Sequence, residues 1–455
     1  MANTILDLFY SLSNCLFCFP GTPQLKINNR SFRMLRLLGE GGFSYVYLVQ
    51  DTADSSIYAL KKIRCPFGQE SVSQALKEVE AYTLFSPHPH IIQSIDHAVQ
   101  TDKNTAVSGI GNDGSGGGAS KTVYILLPYY RRGNLQDMIN ANLVNHTRFG
   151  ERRLMQLMLG VCKALKAMHQ YTIRNNQSRN AAQAIRNEAA NEDADAARRK
   201  ARGPTRAMTA NQTHQEELGD EQEQPLMPEN EVTRAQEGKS PGDERAYAHR
   251  DIKPGNIMID DDGRMPILMD LGSLAPSPIP ITSRSQAIAV QDTAAEHCTM
   301  PYRAPELFDV KTGSVIDTKV DIWSLGCTMY ACLVGKSPFE ARSDETGGSL
   351  SICVLGGDWR WPGEGNATKG KDRAHPPSRS GTQVNGDLNP TGGATAANPS
   401  AERVYPHAAA REVVRRCLQV EPADRPDVDE LMTLIDTCLS ELPEDDEGGP
   451  INDMV

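Results

Sequence analysis

From residue 32 onward, alternating apolar and polar positions come first and helical spacing second. FRMLRLLGE, SYVYLVQD and SIYALKKIR are short β-rich runs separated by Gly or Asp/Ser turns, which predicts an antiparallel meander. SVSQALKEVEAYTLF then places Val72, Ala75, Leu76 and Val79 at i, i+3, i+4 and i+7. That spacing predicts a helix, with Ser71 and Gln74 as its capping box. KTVYILLPYY reads as one more buried strand. Beyond it, RRLMQLMLGVCKALKAMHQ, VDIWSLGCTMYACLVG, REVVRRCLQV and VDELMTLIDTCLSEL carry helical periodicity. The fold class expected is therefore α+β: a small β-rich lobe with one main helix, then a larger, mostly helical lobe.

Three stretches interrupt this pattern. Residues 104–120 are Gly/Ser-rich. Residues 172–246 hold 14 acidic and 11 basic side chains, no Phe, Tyr or Trp, and seven Ile, Leu, Met or Val. Such a segment buries too little apolar surface to offset its ordering entropy, so a disordered insert is expected. Residues 363–402 repeat that character with Pro, Gly and Asn. The division that follows is an N-terminal segment 1–29, one domain 30–440 with three inserts, and an acidic tail 441–455. Within the domain, the small lobe takes 30–128 and the helical lobe 129–440.

Composition narrows the function. Hydrophobic residues make up 39% of the chain, below the globular norm, in keeping with ordered parts diluted by inserts. A net charge of −11 offers no global positive field for a phosphate backbone, which argues against nucleic acid as a main partner. Apart from Cys15 and Cys18, the ten cysteines show no paired spacing, and free thiols in a reducing cytoplasmic compartment are expected. Asp7 interrupts the first apolar stretch and no basic region precedes it, so a secretory leader is not expected, and no window approaches the ~20 apolar residues of a membrane span.

Several short stretches carry candidate chemistry. LGEGGFSYVYLV sets Gly39, Gly41 and Gly42 between two strands, where backbone N–H groups can approach phosphates; a tight hairpin without a ligand is the plainer reading. Lys61 shares a strand face with Ala59 and can reach beneath that loop, with Glu78 or Glu80 of the next helix as its partner. AYAHRDIKPGNIMID concentrates Asp251, able to accept a hydroxyl proton, Lys253, able to neutralise a phosphoryl group, and Asn256, a hard oxygen donor. Asp270 ends the apolar run MPILMD, a costly position unless it meets a cation or hydrogen-bond donors.

Together and in this order, GEGGFSYV, YALK, HRDIKPGN, DLG and APE resemble the signature set of the eukaryotic protein kinase superfamily, over roughly residues 30–440 with the inserts excepted. The resemblance implies the two-lobed protein kinase fold, with ATP and Mg2+ as cofactors and protein substrates as partners. It implies that Lys61 contacts the α/β-phosphates and pairs with Glu78, that Asp251 orients or deprotonates the substrate hydroxyl, that Lys253 contacts the γ-phosphate, and that Asn256 and Asp270 hold Mg2+. Around the nucleotide it places Leu38, Gly39, Glu40, Gly41, Gly42, Phe43, Ser44 and Val46 of the glycine loop. Ala59 and Lys61 follow on the next strand, and Leu127, Pro128 and Tyr130 on the connection between lobes.

HRDIKPGN, with Lys253 two residues past Asp251, is the serine/threonine form, and Thr299 matches the threonine that such kinases set beside the catalytic Asp. Glu306 and Arg425 match a buried ion pair of the helical lobe, and Asp321 the residue that braces the HRD backbone. Three positions depart from the pattern: Ser44 replaces the third glycine, Leu271 replaces the Phe of DFG, and Pro128 stands where an acid is commoner. Phosphorylation of the chain itself is expected at Ser273, Ser277, Thr282, Ser283, Ser285 or Thr293, with Arg250 able to pair with a phosphate there. A catalytically silent scaffold of the same fold is the rival; retention of Lys61, Asp251, Asn256 and Asp270 disfavours it. APE and Thr299 disfavour a kinase of small molecules.

LLPYYRRGNL, SYVYLV, CTMPYRAPELF and the early cysteine pair also resemble the Numb-associated kinase family, on the branch of serine/threonine kinase 16 and its fungal vacuolar relatives. ILDLFYSLSNCLFCF puts Ile5, Leu8, Phe9, Leu12, Leu16 and Phe19 at helical spacing beside Cys15 and Cys18. An interfacial helix with both cysteines S-palmitoylated is the favoured reading, helped by the resemblance; a helix packed on the domain with inert thiols is the alternative. A Cys-x-x-Cys zinc site would need two more ligands nearby. Ala2 rules out N-myristoylation, so two acyl chains are needed for stable anchoring. The expected location is cytoplasmic, attached to an internal membrane of the vacuole or Golgi.

Overall fold

The computed structural model describes residues 24–42, 44–66, 69–101, 121–171, 245–364 and 406–444. The 104–120 insert, nearly all of 172–246 and 363–402, Phe43, Cys15 and Cys18 lie outside the described residues. By its contacts the chain forms two units, Met1–His169 with Tyr247–Val455, and Gln170–Ala246. Within the second unit, the Arg245 N–H donates to Tyr171 O at 2.9 Å.

In the first unit, six strands form one antiparallel sheet in the order β1-β2-β3-β4-β6-β5. They are β1 (Gln24–Ile27), β2 (Arg30–Glu40), β3 (Ser44–Asp51), β4 (Ile57–Cys65), β5 (Asp96–Thr101) and β6 (Lys121–Pro128), with helix α1 (Gln69–Leu84) between β4 and β5. One face of the sheet packs Phe32, Val49, Leu60, Tyr124 and Leu126 with Ile27. Side chains also tie the two edge strands to each other. Asn28 Nδ2 donates to Asp96 Oδ1 (2.8 Å) and His97 O (3.1 Å), and Gln100 Nε2 to Lys26 O (2.6 Å). These bonds occupy two carbonyls along the edges, His97 O and Lys26 O.

The helical lobe is built from α2 (Leu135–Asn145), α3 (Glu151–His169), α4 (Arg284–His297), α5 (Lys319–Val334), α6 (Pro338–Thr346), α7 (Leu350–Leu355), α8 (Ala408–Cys417) and α9 (Val428–Glu441). Short strands β7 (Ala246–Ala248), β8 (Ile257–Ile259), β9 (Pro266–Leu268), β10 (Ala275–Ser277), β11 (Ile279–Pro280) and β12 (Val315–Ile316) intervene. Helix α5 is buried continuously from Val320 to Cys332, as expected of a helix apolar on every side, and α8 and α3 pack against it. Gly335, at φ 100, closes it. Arg425, 1% exposed, forms a two-pronged pair with Glu306 (2.7 and 2.8 Å) and also donates to the carbonyls of Gln419, Val420 and Lys319. The expected buried pair is present. The eight described cysteines are free and buried, as anticipated, and burial pushes the Cys298 and Cys438 thiols up to about 11.

The structure amends four sequence-based expectations. Strand β1 lies inside the 1–29 segment, because Ile27 is needed to fill the small-lobe core. Helix α1 begins at Gln69, so Ser71 lies within its first turn rather than at the cap, and Gln74 reaches His297 (3.4 Å) instead. Glu364 belongs to the folded body, paired with Arg411 and with Arg415 (3.1 Å), although it falls within 363–402. Helix α4 was not anticipated within the 273–299 segment. It buries only Ala287 and Ala294, two small residues seven apart, and so shows no apolar stripe.

Candidate active site

Strand register assembles the small-lobe half of the site. Gly39 pairs with Val46, Val46 with Lys61, and Ala59 with Leu127. Lys61, two residues after Ala59, therefore shares a face with Val46, Ala59 and Leu127, opposite the filled core. Leu38 sits at the irregularity between the Leu37–Tyr47 and Gly39–Val46 pairs. Leu38, Val46 and Ala59 are only half-buried, so this face is left apolar and open. At the turn beyond β2, the Gly41 N–H donates to Ser44 O at 2.8 Å, and nothing lies within 4 Å of where a Cβ on Gly39 or Gly42 would sit. Glu40 is exposed beside them. Pro128 ends β6 opposite Tyr58, where its missing N–H costs little, and Tyr130 follows two residues later, half-buried.

Lys61 is the meeting point. Its ammonium donates to Glu78 Oε1 at 2.7 Å and to Asp270 Oδ1 at 2.9 Å. Of the two candidate glutamates, Glu78 on the buried stripe of α1 takes the role and Glu80 does not. Burial alone would lower the Lys61 pKa, but Glu78 and Asp270 more than offset it, and the ammonium is held charged above its ordinary range. Lys61 in turn draws the Asp270 carboxyl down to about 2.

The catalytic-loop half is fixed from beneath. Asp321, in the first turn of α5 and fully buried, accepts the His249 N–H (2.8 Å) on Oδ2 and the Arg250 N–H (2.7 Å) on Oδ1. His169 Nε2 also meets Oδ2 at 2.9 Å. Burial would raise the Asp321 pKa, but the bond and charge of His169, with His249 and the Arg250 N–H, bring it below its ordinary value. This anchorage holds Arg250 at φ 70, a left-handed conformation that a non-glycine residue adopts at a cost. The brace expected at Asp321 is present, and His169, which joins it, had no signal in the sequence beyond its place at the end of α3.

Above that brace, Asp251 collects three residues. Its Oδ1 accepts the Thr299 N–H (2.9 Å); its Oδ2 accepts Lys253 Nζ (2.8 Å) and Asn256 Nδ2 (2.9 Å). Lys253 Nζ also donates to Thr299 Oγ1 at 2.7 Å. Asn256 spends its N–H bonds on Asp251 O and Oδ2, which leaves its amide oxygen as the ligand-side atom. The β8–β9 pair, Ile257 opposite Leu268, and the Met269 N–H to Asn256 O bond (2.9 Å) bring Asn256 alongside Met269 and Asp270. One amide oxygen and one carboxylate suit a hard divalent cation that shares its remaining ligands with phosphates and water. Asp251, Lys253, Asn256 and Thr299 thus form one cluster, and Lys61, Glu78 and Asp270 another. Sequence reasoning missed Tyr82, whose hydroxyl donates to Glu78 Oε1 at 2.6 Å; the signal was a tyrosine one turn beyond a glutamate on a buried stripe.

The family described as protein kinase domain matches residues 32–175 and 244–434. Serine/threonine-protein kinase ENV7 of Saccharomyces cerevisiae is 32% identical over 96% of this chain and 99% of its own length. Serine/threonine-protein kinase ppk13 of Schizosaccharomyces pombe is 32% identical over 91% of this chain and 92% of its own. Serine/threonine-protein kinase 16 of Rattus norvegicus is 31% identical over 74% and 79%.

The depressed Asp270 pKa has a consequence for stability. Below its ordinary value of 3.8 the unfolded chain binds this proton while the folded chain does not, until pH falls through about 2. The contribution of Asp270 is therefore complete above 3.8 and lost on acidification through about 2. The stability difference between wild type and Asp270→Asn is expected to stay flat from about pH 5 to 8 and to change only below about pH 4. Chemical denaturation at several pH values checks this.

Proposed function

The chain belongs to the protein kinase family, as a serine/threonine kinase, and from that premise we propose how its residues divide the work. Lys61, held by Glu78, contacts the ATP phosphates beneath the glycine loop, while Leu38, Val46, Ala59, Leu127, Pro128 and Tyr130 surround the base. Asn256 and Asp270 hold Mg2+, which when bound neutralises phosphate charge. Asp251 accepts the proton of a Ser or Thr hydroxyl as that oxygen bonds to the γ-phosphorus and the bond to ADP breaks. Lys253, bonded to both Asp251 and Thr299, steadies the developing charge on the transferred group. The observation that carries this reading is the Asp251 carboxylate, which holds Lys253, Asn256 and the Thr299 backbone at once.

Phosphorylation of the chain itself belongs to the same reading. Thr282, Ser283, Ser285 and Thr293 are exposed, while Ser273 donates its hydroxyl to His249 O and the Ser277 hydroxyl is buried. The exposed four are the better acceptors. Membrane attachment through acylated Cys15 and Cys18 is also proposed, on the sequence pattern of residues 5–19; no helix among the described residues is long and apolar enough to cross a membrane. A cytoplasmic kinase held on the vacuolar or Golgi surface would result.

Radiolabelled phosphate transfer to a protein substrate tests the catalytic assignment. Asp251→Asn is expected to lower kcat by about 10²–10⁴-fold. Pure wild type without activity would overturn the assignment. Hydroxylamine-sensitive acyl exchange tests the anchor: wild type is expected to label and Cys15→Ser/Cys18→Ser is not, and equal labelling in both sinks the idea.

A further inference from the structure

Strand β1 starts six residues after Cys18, and the ladder it forms with β2 gathers cations on one face. Gln24 pairs with Arg33, and Lys26 with Ser31, two residues before Arg33, so Lys26 and Arg33 share a face. Strict alternation would turn Arg36 to the other side. The register shift between Met34 and Arg36 prevents this: Arg33 pairs with Gln50 and Arg36 with Leu48, two residues apart on β3, which brings both arginines to one face. Lys26, Arg33 and Arg36 are all exposed. Arg33 donates to Gln50 Oε1 and Arg36 to the Tyr129 hydroxyl (3.4 Å), both neutral partners. The other residues that these pairings set on the face, Gln24, Ser31, Leu48 and Gln50, are uncharged. Between the arginines, Met34 and Leu35 stand 39% and 42% exposed.

We propose that this basic face, with Met34 and Leu35 at its bulge, lies against an anionic phospholipid surface when the chain is membrane-attached. The six residues from Cys18 to Gln24 span at most about 20 Å. An acylated Cys18 therefore keeps the β1–β2 ribbon within reach of the headgroups, and Gln24, where that tether arrives, is the ladder partner of Arg33 itself. Screening confines surface electrostatics to about 8–10 Å at physiological salt, so only cations held that close count, each tightening attachment roughly fivefold. The chain carries a net charge of −11, so an anionic surface repels the protein as a whole and favours the orientation that presents this face. Met34 and Leu35 then enter the interfacial layer instead of water. Attachment becomes a fixed orientation rather than a free tether, with the β1–β2 ribbon toward the lipid.

The inference rests on the anchor reading of residues 5–19, and its test separates the two. The full chain is partitioned onto phosphatidylcholine vesicles with and without about one-third phosphatidylserine, as wild type and on a Cys15→Ser/Cys18→Ser background. Lys26→Gln/Arg33→Gln/Arg36→Gln is expected to weaken binding to the anionic vesicles by roughly 10- to 100-fold on either background, and raising salt to about 0.5 M to weaken the unaltered face similarly. Arg264→Gln/Lys311→Gln/Lys336→Gln removes equal charge from exposed sites of the helical lobe and is expected to stay within about threefold of its parent. Met34→Ser/Leu35→Ser is expected to lose roughly 3- to 10-fold. Equal loss in the two triple variants, full binding by the first triple, or binding indifferent to phosphatidylserine overturns the proposal. So does capture by polyglutamate without vesicle binding, which assigns the face to an acidic protein partner. Acyl exchange decides the anchor by itself, and on unacylated chain the ratio between the two triples still decides the face.

Discussion

A buried ammonium between two carboxylates is the constraint on which the site depends. Lys61 comes from the small-lobe sheet, Glu78 from the helix beside it, and Asp270 from the end of a strand run in the helical lobe, 209 residues away in sequence. Burying a cation is expensive unless its charge is met at short range, and here two carboxylates meet it at under 3 Å. The pairing sets the height of α1 against the sheet and the position of the Asp270 turn against both. The half-buried face of Leu38, Val46 and Ala59 thereby acquires a charged end.

The second fixed point is Asp321. One buried carboxylate accepts the backbone N–H groups of His249 and Arg250 and thereby sustains Arg250 in a conformation the chain would otherwise avoid. Lys253, Asn256 and Thr299 converge on the next residue, buried Asp251. The catalytic loop follows α3 only after the 172–246 insert, and the family match likewise stops at 175 and resumes at 244. Loop-closure entropy grows slowly with length, so an insert at this place is compatible with the loop it interrupts.

How much of this was legible in the sequence depended on whether a residue announced itself by spacing. Helices α3, α5, α8 and α9 had apolar periodicity and emerge within a few residues of expectation; α4, with two buried alanines, had none to offer. The site residues were legible as an ordered set of short motifs, each ambiguous alone. Glu78 against Glu80 could not be decided from spacing, because the choice turns on which side of α1 faces the sheet. Ser71 looked like a cap because a serine followed by a glutamine three residues on has that pattern wherever it falls, whereas the helix starts at Gln69. Strand β1 was hidden by its shortness and by the apolar segment before it. Tyr82 was hidden differently: its ring fits the apolar stripe, and only the folded helix shows its hydroxyl on Glu78 Oε1.

In the proposed division of labour, the Lys61–Glu78–Asp270 cluster holds the nucleotide and the Asp251 cluster transfers the phosphoryl group. The dissociation constant of Mg-ATP tests that division most directly, measured for Glu78→Gln beside Asp251→Asn. Glu78→Gln is predicted to weaken binding by roughly tenfold or more, since it leaves Lys61 with a neutral partner, and Asp251→Asn to bind within about threefold of wild type. Equal weakening in the two variants would contradict the account.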